Sequence, residues 1–447
     1  MNIYFSVITI IGTIGILIYG IRFITDGFQN ILGEKLRSLL KKVSSNLTAG
    51  IGAGALFTAI VQSSTAVSIM VVSFVSSGIM NIYDAVSIIF GANIGTTITA
   101  QIIAHENKYV TSIVLLLTTF TIIFYESKNK KEIEKILIGF SMLFISMQLM
   151  KSEINILSGF DQFKSIFMTI GSNAFVEIII GMLVTAILKS SSASIGILIA
   201  VSSTKILPLS MSMPILLGNN IGSCISALFA ADGASKTARK TALIHLNLNV
   251  TGAIIFEFII LPFTPFIDFI KWLTPGNFGV QIANAHTFFN ILNVFLQAPF
   301  IKYIIAFADK VIKGEDKIEK PGVKFIDNRL IDTPITAVEQ TFKEVLRMGD
   351  KVKENFRISM EAFKNNNNEL IEIVYENEKI IDILEKEITE FMIKLSNSGV
   401  SYKQSISINS FLRTIKDLKR TGDDVKSIAD LASEKMQKSL NISKDYL

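Results

Sequence analysis

The sequence predicts an all-α polytopic membrane protein with two inverted repeats and re-entrant helical hairpins, plus a soluble C-terminal helical bundle. Three observations predict it. Charge is segregated along the chain, long apolar runs recur through its first two thirds, and two polar motifs repeat at one fixed offset. The chain has 447 residues and 81 charged side chains, yet residues 1–309 hold only 33 of them. The rest is roughly three times as densely charged, so the chain divides near Asp309. The single cysteine, Cys224, excludes an intrachain disulfide. The net charge of +5 is modest. Its basic residues cluster in loops, which bears on membrane topology and argues for no nucleic-acid partner.

Met1–Ile21 carries no charged side chain, and Arg22 follows it. A hydrocarbon core of about 30 Å takes about 20 apolar residues of helix. A secretory signal puts its positive charge ahead of the apolar run, so this segment reads as a first transmembrane helix. An amphipathic stretch, Thr25–Lys42, carries Lys35, Arg37, Lys41 and Lys42. Apolar runs then recur around 48–76, 82–104, 110–125, 135–150, 174–204, 208–231, 240–262 and 280–305. Loops 35–42, 126–135 (with Lys128, Lys130, Lys131 and Lys135), 236–240 and the segment from Lys302 onward are basic. The positive-inside rule places them in the cytoplasm. An even number of crossings must separate two cytoplasmic loops, so the run 48–76 enters and returns on one face. The same counting makes 174–204 a second re-entrant hairpin, entering from the opposite face. Seven full spans remain, in a cell (inner) membrane, with the N-terminus outside and the C-terminus inside.

Thr58–Ala66 aligns without a gap to Thr185–Ala193, with six of nine positions identical. Gly91-Ala92-Asn93-Ile94-Gly95-Thr96 aligns to Gly218-Asn219-Asn220-Ile221-Gly222-Ser223, and the offset is 127 in both blocks. Transporters built from inverted repeats bind substrate and ions near the midplane, where discontinuous helices expose backbone groups. The serine clusters and the Gly-x-Asn-x-Gly elements are the expected break points. Glycine permits unusual dihedrals there, and asparagine and hydroxyl oxygens suit a hard cation. A helix restarting after a break aims free N–H groups at an anion. The plainer reading is close packing of membrane helices through small residues, which two symmetric pairs of polar clusters make the weaker account.

These residues resemble the type II sodium/phosphate cotransporter family, over roughly residues 10–305. Its hallmark is a pair of Gln-Ser-Ser-Ser-like motifs in inverted repeats, each followed by a Gly-x-Asn-Ile-Gly-Thr element. The resemblance implies a sodium-coupled symporter of inorganic phosphate, not an enzyme. It implies that Gln62, Ser63, Ser64 and Thr65, with Ser190, Ser191 and Ser192, line the sodium and phosphate sites, completed by Asn93, Thr96, Asn220 and Ser223. Na+ is the coupling ion, and no other cofactor or transition-metal site is implied. Lys189 stands where the family has glutamine. A charged residue at that depth is a functional hypothesis: it touches phosphate, or it takes the place of one sodium ion. The structural alternative pairs Lys189 with Glu177 or Glu257. Glu257 is also a candidate proton or cation ligand. His245 and Asn249 share a helix face, as do His286 and Asn290, for which interhelical hydrogen bonding is the leading reading. No P-loop, HExxH or nucleophile–base spacing occurs. Another oxyanion, another coupling ion, or a phosphate-sensing regulator remain the alternatives.

Beyond a linker at 310–333, with Gly314, Pro321 and Gly322, the pattern turns to amphipathic helices at Ile335–Phe363, Asn367–Leu395 and Ile406–Met436. Short loops between them predict a cytoplasmic bundle over 334–447. Residues 412–424, with Glu385 and nearby acids, resemble a PhoU-like domain, which implies a regulatory role or a partner, a homodimer included. That family binds metal through an acid–Arg–x–x–Asp element. Here Lys419 replaces the acid.

Overall fold

The computed structural model describes residues 3–42, 46–76, 80–127, 129–163, 165, 173–231, 235–313, 322–332 and 334–438. The side chains of Lys35, Arg37, Lys41 and Lys42, and all of Lys128, Gly314 and Pro321, lie outside them. The described residues are helical, without a strand. The chain divides into two compact units, Met1–Glu315 and Asp316–Leu447.

The first unit opens with α1 (Ile3–Lys42), whose Tyr4, Ile8 and Ile11 are more than 60% exposed. Large apolar side chains left open along the part of the helix before Arg22, which carries no charge, fit a lipid face. A hairpin follows: α2 (Leu47–Val61) and α3 (Ser64–Ser76). Then come α4 (Ile82–Gly95), α5 (Thr97–Ala104), α6 (Lys108–Phe124) and α7 (Lys130–Leu157). The second hairpin is α8 (Ala174–Leu188) and α9 (Ser191–Ser203), followed by α10 (Leu209–Ala230). Next is α11 (Lys236–Ile255), prolonged through a π-helical turn at Phe256–Ile260. Pro262 has no N–H for the carbonyl four residues back, which explains the widened turn. The last elements are α12 (Phe266–Leu273), α13 (Phe278–Gln297) and α14 (Ile301–Val311).

Among the described residues, six helical stretches are long and apolar enough to cross a bilayer: Ile3–Leu32, Ile82–Ala104, Lys130–Leu157, Leu209–Ala230, Lys236–Phe263 and Phe278–Val311. The protein is a multi-pass membrane protein. The seventh expected span, 110–125, is α6, whose 17 residues start at the Asn107 cap. At 1.5 Å per residue it covers about 25 Å, the lower limit for a crossing.

The second unit holds α15 (Pro334–Asn365), α16 (Asn368–Ser396) and α17 (Tyr402–Gln437). Asn367 caps α16, and a Ser401–Gln404 capping box starts α17. Their apolar faces meet around Met348, Ile381, Leu384, Ile388 and Ile415. Residues 322–332, inside the stretch read as a linker, pack on this bundle. The N–H groups of Lys324 and Phe325 donate to buried Glu344 at 2.8 and 2.6 Å.

Lys419 fills the centre of an acidic ring, with Glu378 at 2.5 Å, Asp382 at 2.7 Å and Asp423 at 2.5 Å. Burial alone would lower the lysine's pKa. The hydrogen bonds that Lys419 donates to Asp382, Asp423 and Glu378 outweigh it and raise the pKa above the ordinary 10.5. The stability so gained is full below the unfolded lysine's pKa and is lost as pH rises through the folded one. Lys419→Met strands Glu378 in a site where it is 4% exposed. We expect a loss of about 3 kcal/mol, seen as a lower melting temperature that recovers on acidification. A variant that melts like the wild type would show that the ring gives no net support.

Candidate functional site

Each hairpin breaks where its polar cluster lies. Gln62 ends α2 with φ of 59° and Lys189 ends α8 with φ of 51°. Left-handed backbone is strained for a residue with a Cβ and is held only where the surroundings enforce it. The chain restarts at once. The Ser63 hydroxyl accepts from the Ala66 N–H and the Ser190 hydroxyl from the Ala193 N–H, both at 3.2 Å. Asn46 and Asn173 cap the first helix of each hairpin in the same way. The starts of α3 and α9 therefore point their remaining orphan N–H groups into the break.

The repeat extends to backbone contacts. A Cβ on Gly54, Gly91 or Gly95 would lie 2.2, 2.0 or 2.3 Å from the carbonyl oxygen of Ile88, Ile51 or Ala55. A Cβ on Gly181, Gly218 or Gly222 would lie 2.0, 1.9 or 2.5 Å from that of Ile215, Ile178 or Met182. Every partner is displaced by the same 127 positions. These glycines are small so that α4 can lie on α2, and α10 on α8. They do not break the chain: the helix runs through Gly91–Gly95 and through Gly218–Gly222. The expected break points thus reduce to the serine clusters, with one short interruption at Thr96.

Asn93 and Asn220 sit on those glycine-bearing helices, each in a matching triad. His245 Nε2–H donates to Asn93 Oδ1 at 3.3 Å, and Asn93 Nδ2 donates to Asn249 Oδ1 at 3.2 Å. His286 Nε2–H donates to Asn220 Oδ1 at 3.2 Å, and Asn220 Nδ2 donates to Asn290 Oδ1 at 3.4 Å. The Nδ1 atom of each ring is buried without a partner. The shared His–Asn faces were readable from spacing. Their partners, some 70 to 150 residues away, were not.

In the first cluster, buried Gln62 accepts from Thr99 Oγ1 at 2.7 Å and donates to the Ala59 carbonyl. Ser64 donates to Thr96 Oγ1 at 3.3 Å. Thr99 is a member that sequence reasoning missed, although its hydroxyl lies one turn beyond Thr96. In the second cluster, Ser223 donates to the Asn220 carbonyl at 2.7 Å. Among the described residues Thr65, Ser191 and Ser192 make no side-chain hydrogen bond, so their hydroxyls are free for a ligand. Lys189 is exposed and pairs with neither Glu177 nor Glu257, which removes the structural alternative for it. The two breaks thus offer two helix starts, unused hydroxyls and one exposed cation, Lys189: groups for an anion and for a hard cation.

The family model described as Na+/Pi-cotransporter matches residues 16–152 and 156–264, and that of the PhoU domain matches 345–432. Salmonella typhimurium YjbB, whose name assigns it provisionally to inorganic phosphate export, is 22% identical over 353 residues, 78% of this chain and 64% of that protein. The chain thus spans under two thirds of that relative's length. Bacillus subtilis YqeW, uncharacterised, is 28% identical over 281 residues, 63% of this chain and 90% of its own. The sodium-dependent phosphate transport protein 2A of Rattus norvegicus is 34% identical over 96 residues, 21% of this chain and 15% of its own. No solved structure matches.

Proposed function

Because the chain belongs to the Na+/Pi-cotransporter family and carries a PhoU domain, we propose that it is a sodium-coupled symporter of inorganic phosphate working by alternating access. The observation that carries the reading is the pair of strained, serine-capped helix restarts at Gln62 and Lys189. The two repeats are inverted across the membrane, with the N-terminus outside and the PhoU domain in the cytoplasm. Sodium binds first, at the hydroxyls of Ser63, Ser64 and Thr65 and of Ser190–Ser192, and offsets the charge of phosphate. Phosphate then docks on the N–H groups of α3 and α9. Asn93 and Asn220, held by their histidines, position the helices that close over it. Lys189 contributes one fixed positive charge where Gln62 contributes none, and so replaces one sodium ion.

The test is uptake of labelled phosphate into proteoliposomes under an inward sodium gradient. Concentrative uptake that vanishes with potassium is expected, and Lys189→Gln should raise the sodium Hill slope by about one. Phosphate binding without flux would make the membrane unit a receptor instead. A second reading, net export, is favoured by the name of YjbB. The same liposomes decide it with the gradient reversed, because a symporter runs whichever way its gradients point.

A further inference from the structure

Helices α10 and α14 end, and α11 begins, around one groove of the membrane unit. Helix α11 packs on both of the others, and the groove runs over it between them with a volume of about 560 Å3. That size lies within the roughly 300–1,000 Å3 of ligand pockets. The groove has two zones. Its walls are apolar, with Leu228 and Phe229 from α10, Leu243 from α11, and Val311 and Ile312 from the end of α14. Phe229 is 77% and Val311 54% exposed, so the walls open outward and not into the core. The charged member of the lining is Arg239, one turn nearer the start of α11 than Leu243 and on the same face.

Arg239 is exposed, and among the described residues its guanidinium makes no ion pair or hydrogen bond. Its neighbour Lys240 is bound to Asp309 at 2.7 Å, which ties α11 to α14. Lys310 and Lys313, both exposed, flank Val311 and Ile312 and add positive charge at the same end. Where spans end at the headgroup level, each Lys or Arg attracts acidic lipid. Arginine suits a phosphate because its planar fork offers two parallel donors. Apolar walls leading inward from that cation suit an acyl chain. The two zones together select the occupant. A free oxyanion would leave the apolar walls unused. A second copy docked about a two-fold axis would bring its own Arg239 toward the first and desolvate both. A zwitterionic lipid carries a cation of its own, which competes with Arg239 for the phosphate.

We propose that this groove binds one acidic phospholipid of the leaflet on the side of loop 236–240, with the lipid phosphate on Arg239 and an acyl chain along Leu243, Leu228 and Phe229. The proposal needs a chain that spans a membrane and does not rest on the phosphate-carrier reading. The test is native mass spectrometry of the full chain in detergent, with phosphatidylglycerol and phosphatidylcholine of identical acyl chains added at equal concentration. One phosphatidylglycerol should be retained about fivefold more than phosphatidylcholine. Arg239→Gln should bring the two lipids to parity, and Arg239→Lys should keep part of the preference. Phe229→Ala should weaken retention of both lipids and leave their ratio unchanged. Each variant should melt like the wild type, since both side chains are exposed. Lys310→Gln removes the same charge outside the groove and should keep the preference. Equal retention of the two lipids by the wild type means that bulk lipid fills the groove, and overturns the proposal. So does a preference that survives Arg239→Gln, or one lost equally in Lys310→Gln, which would assign it to diffuse charge. Displacement of phosphatidylglycerol by inorganic phosphate alone would make Arg239 a site for the free anion and overturn it. A two-copy mass that disappears in Phe229→Ala, with no lipid retained, would give the groove to a second chain and overturn it too.

Discussion

Gly218→Val is expected to yield no folded protein, and Gly218→Ala to lower the melting temperature by about 10 °C or more. An alanine in a helix usually gains up to about 1 kcal/mol over glycine. Here the sign reverses, because the new Cβ would sit 1.9 Å from the Ile178 carbonyl oxygen. That atom belongs to the backbone of α8, and no side chain can rotate away to make room. Relieving the clash means separating α10 from α8 by more than about 1 Å, which forfeits dispersion along the whole contact. Membrane helices depend on that dispersion, since lipid tails are as apolar as the side chains they meet. Gly12 has nothing within 4 Å of its ideal Cβ, so Gly12→Ala is the control and should melt like the wild type. The readout is elution profile and melting curve in detergent. A Gly218→Ala protein as stable as the Gly12→Ala one would mean that the two helices do not lie this close.

The same glycines show how far the sequence could be read. The break in each hairpin was legible because a polar cluster inside an apolar run cannot stay in an unbroken helix facing lipid. The two C-terminal turns were legible where the amphipathic periodicity stops and restarts, between Phe363 and Asn367 and between Leu395 and Ile406. Gly91 and Gly218 were read as sites of unusual backbone, but they are helical and serve close approach. Sequence shows only that a side chain is missing. Which of glycine's two uses applies depends on the backbone lying opposite, here Ile51 and Ile178, and that is tertiary information. The i, i+4 spacing of His245 with Asn249 gave a shared face and no partner, for the same reason. Lys189 was read as either paired or ligand-facing. Its exposure, beside a Gln62 that is 5% exposed, is an asymmetry that two nearly identical motifs do not announce.

The remaining large effect concerns the hydroxyls. Ser64→Ala with Ser191→Ala should abolish sodium-driven phosphate uptake, by about 100-fold or more, while moving the melting temperature by less than about 5 °C. The structural cost is small because the Ser64 hydroxyl makes one 3.3 Å bond to Thr96 and the Ser191 hydroxyl makes none among the described residues. A lost bond of that kind is worth about 1 kcal/mol. The functional cost is larger, since a hydrogen bond or ligand to a charged species contributes roughly 1.5–3 kcal/mol, and every 1.4 kcal/mol is tenfold. The single variants carry further information. Ser64 and Ser191 occupy equivalent positions of the two repeats. If both face one ligand, each single substitution should cause most of the loss and the double little more. If each serves its own ion, the losses should multiply. Uptake within twofold of wild type in the double variant would place the ions elsewhere and leave the serine clusters as helix caps alone.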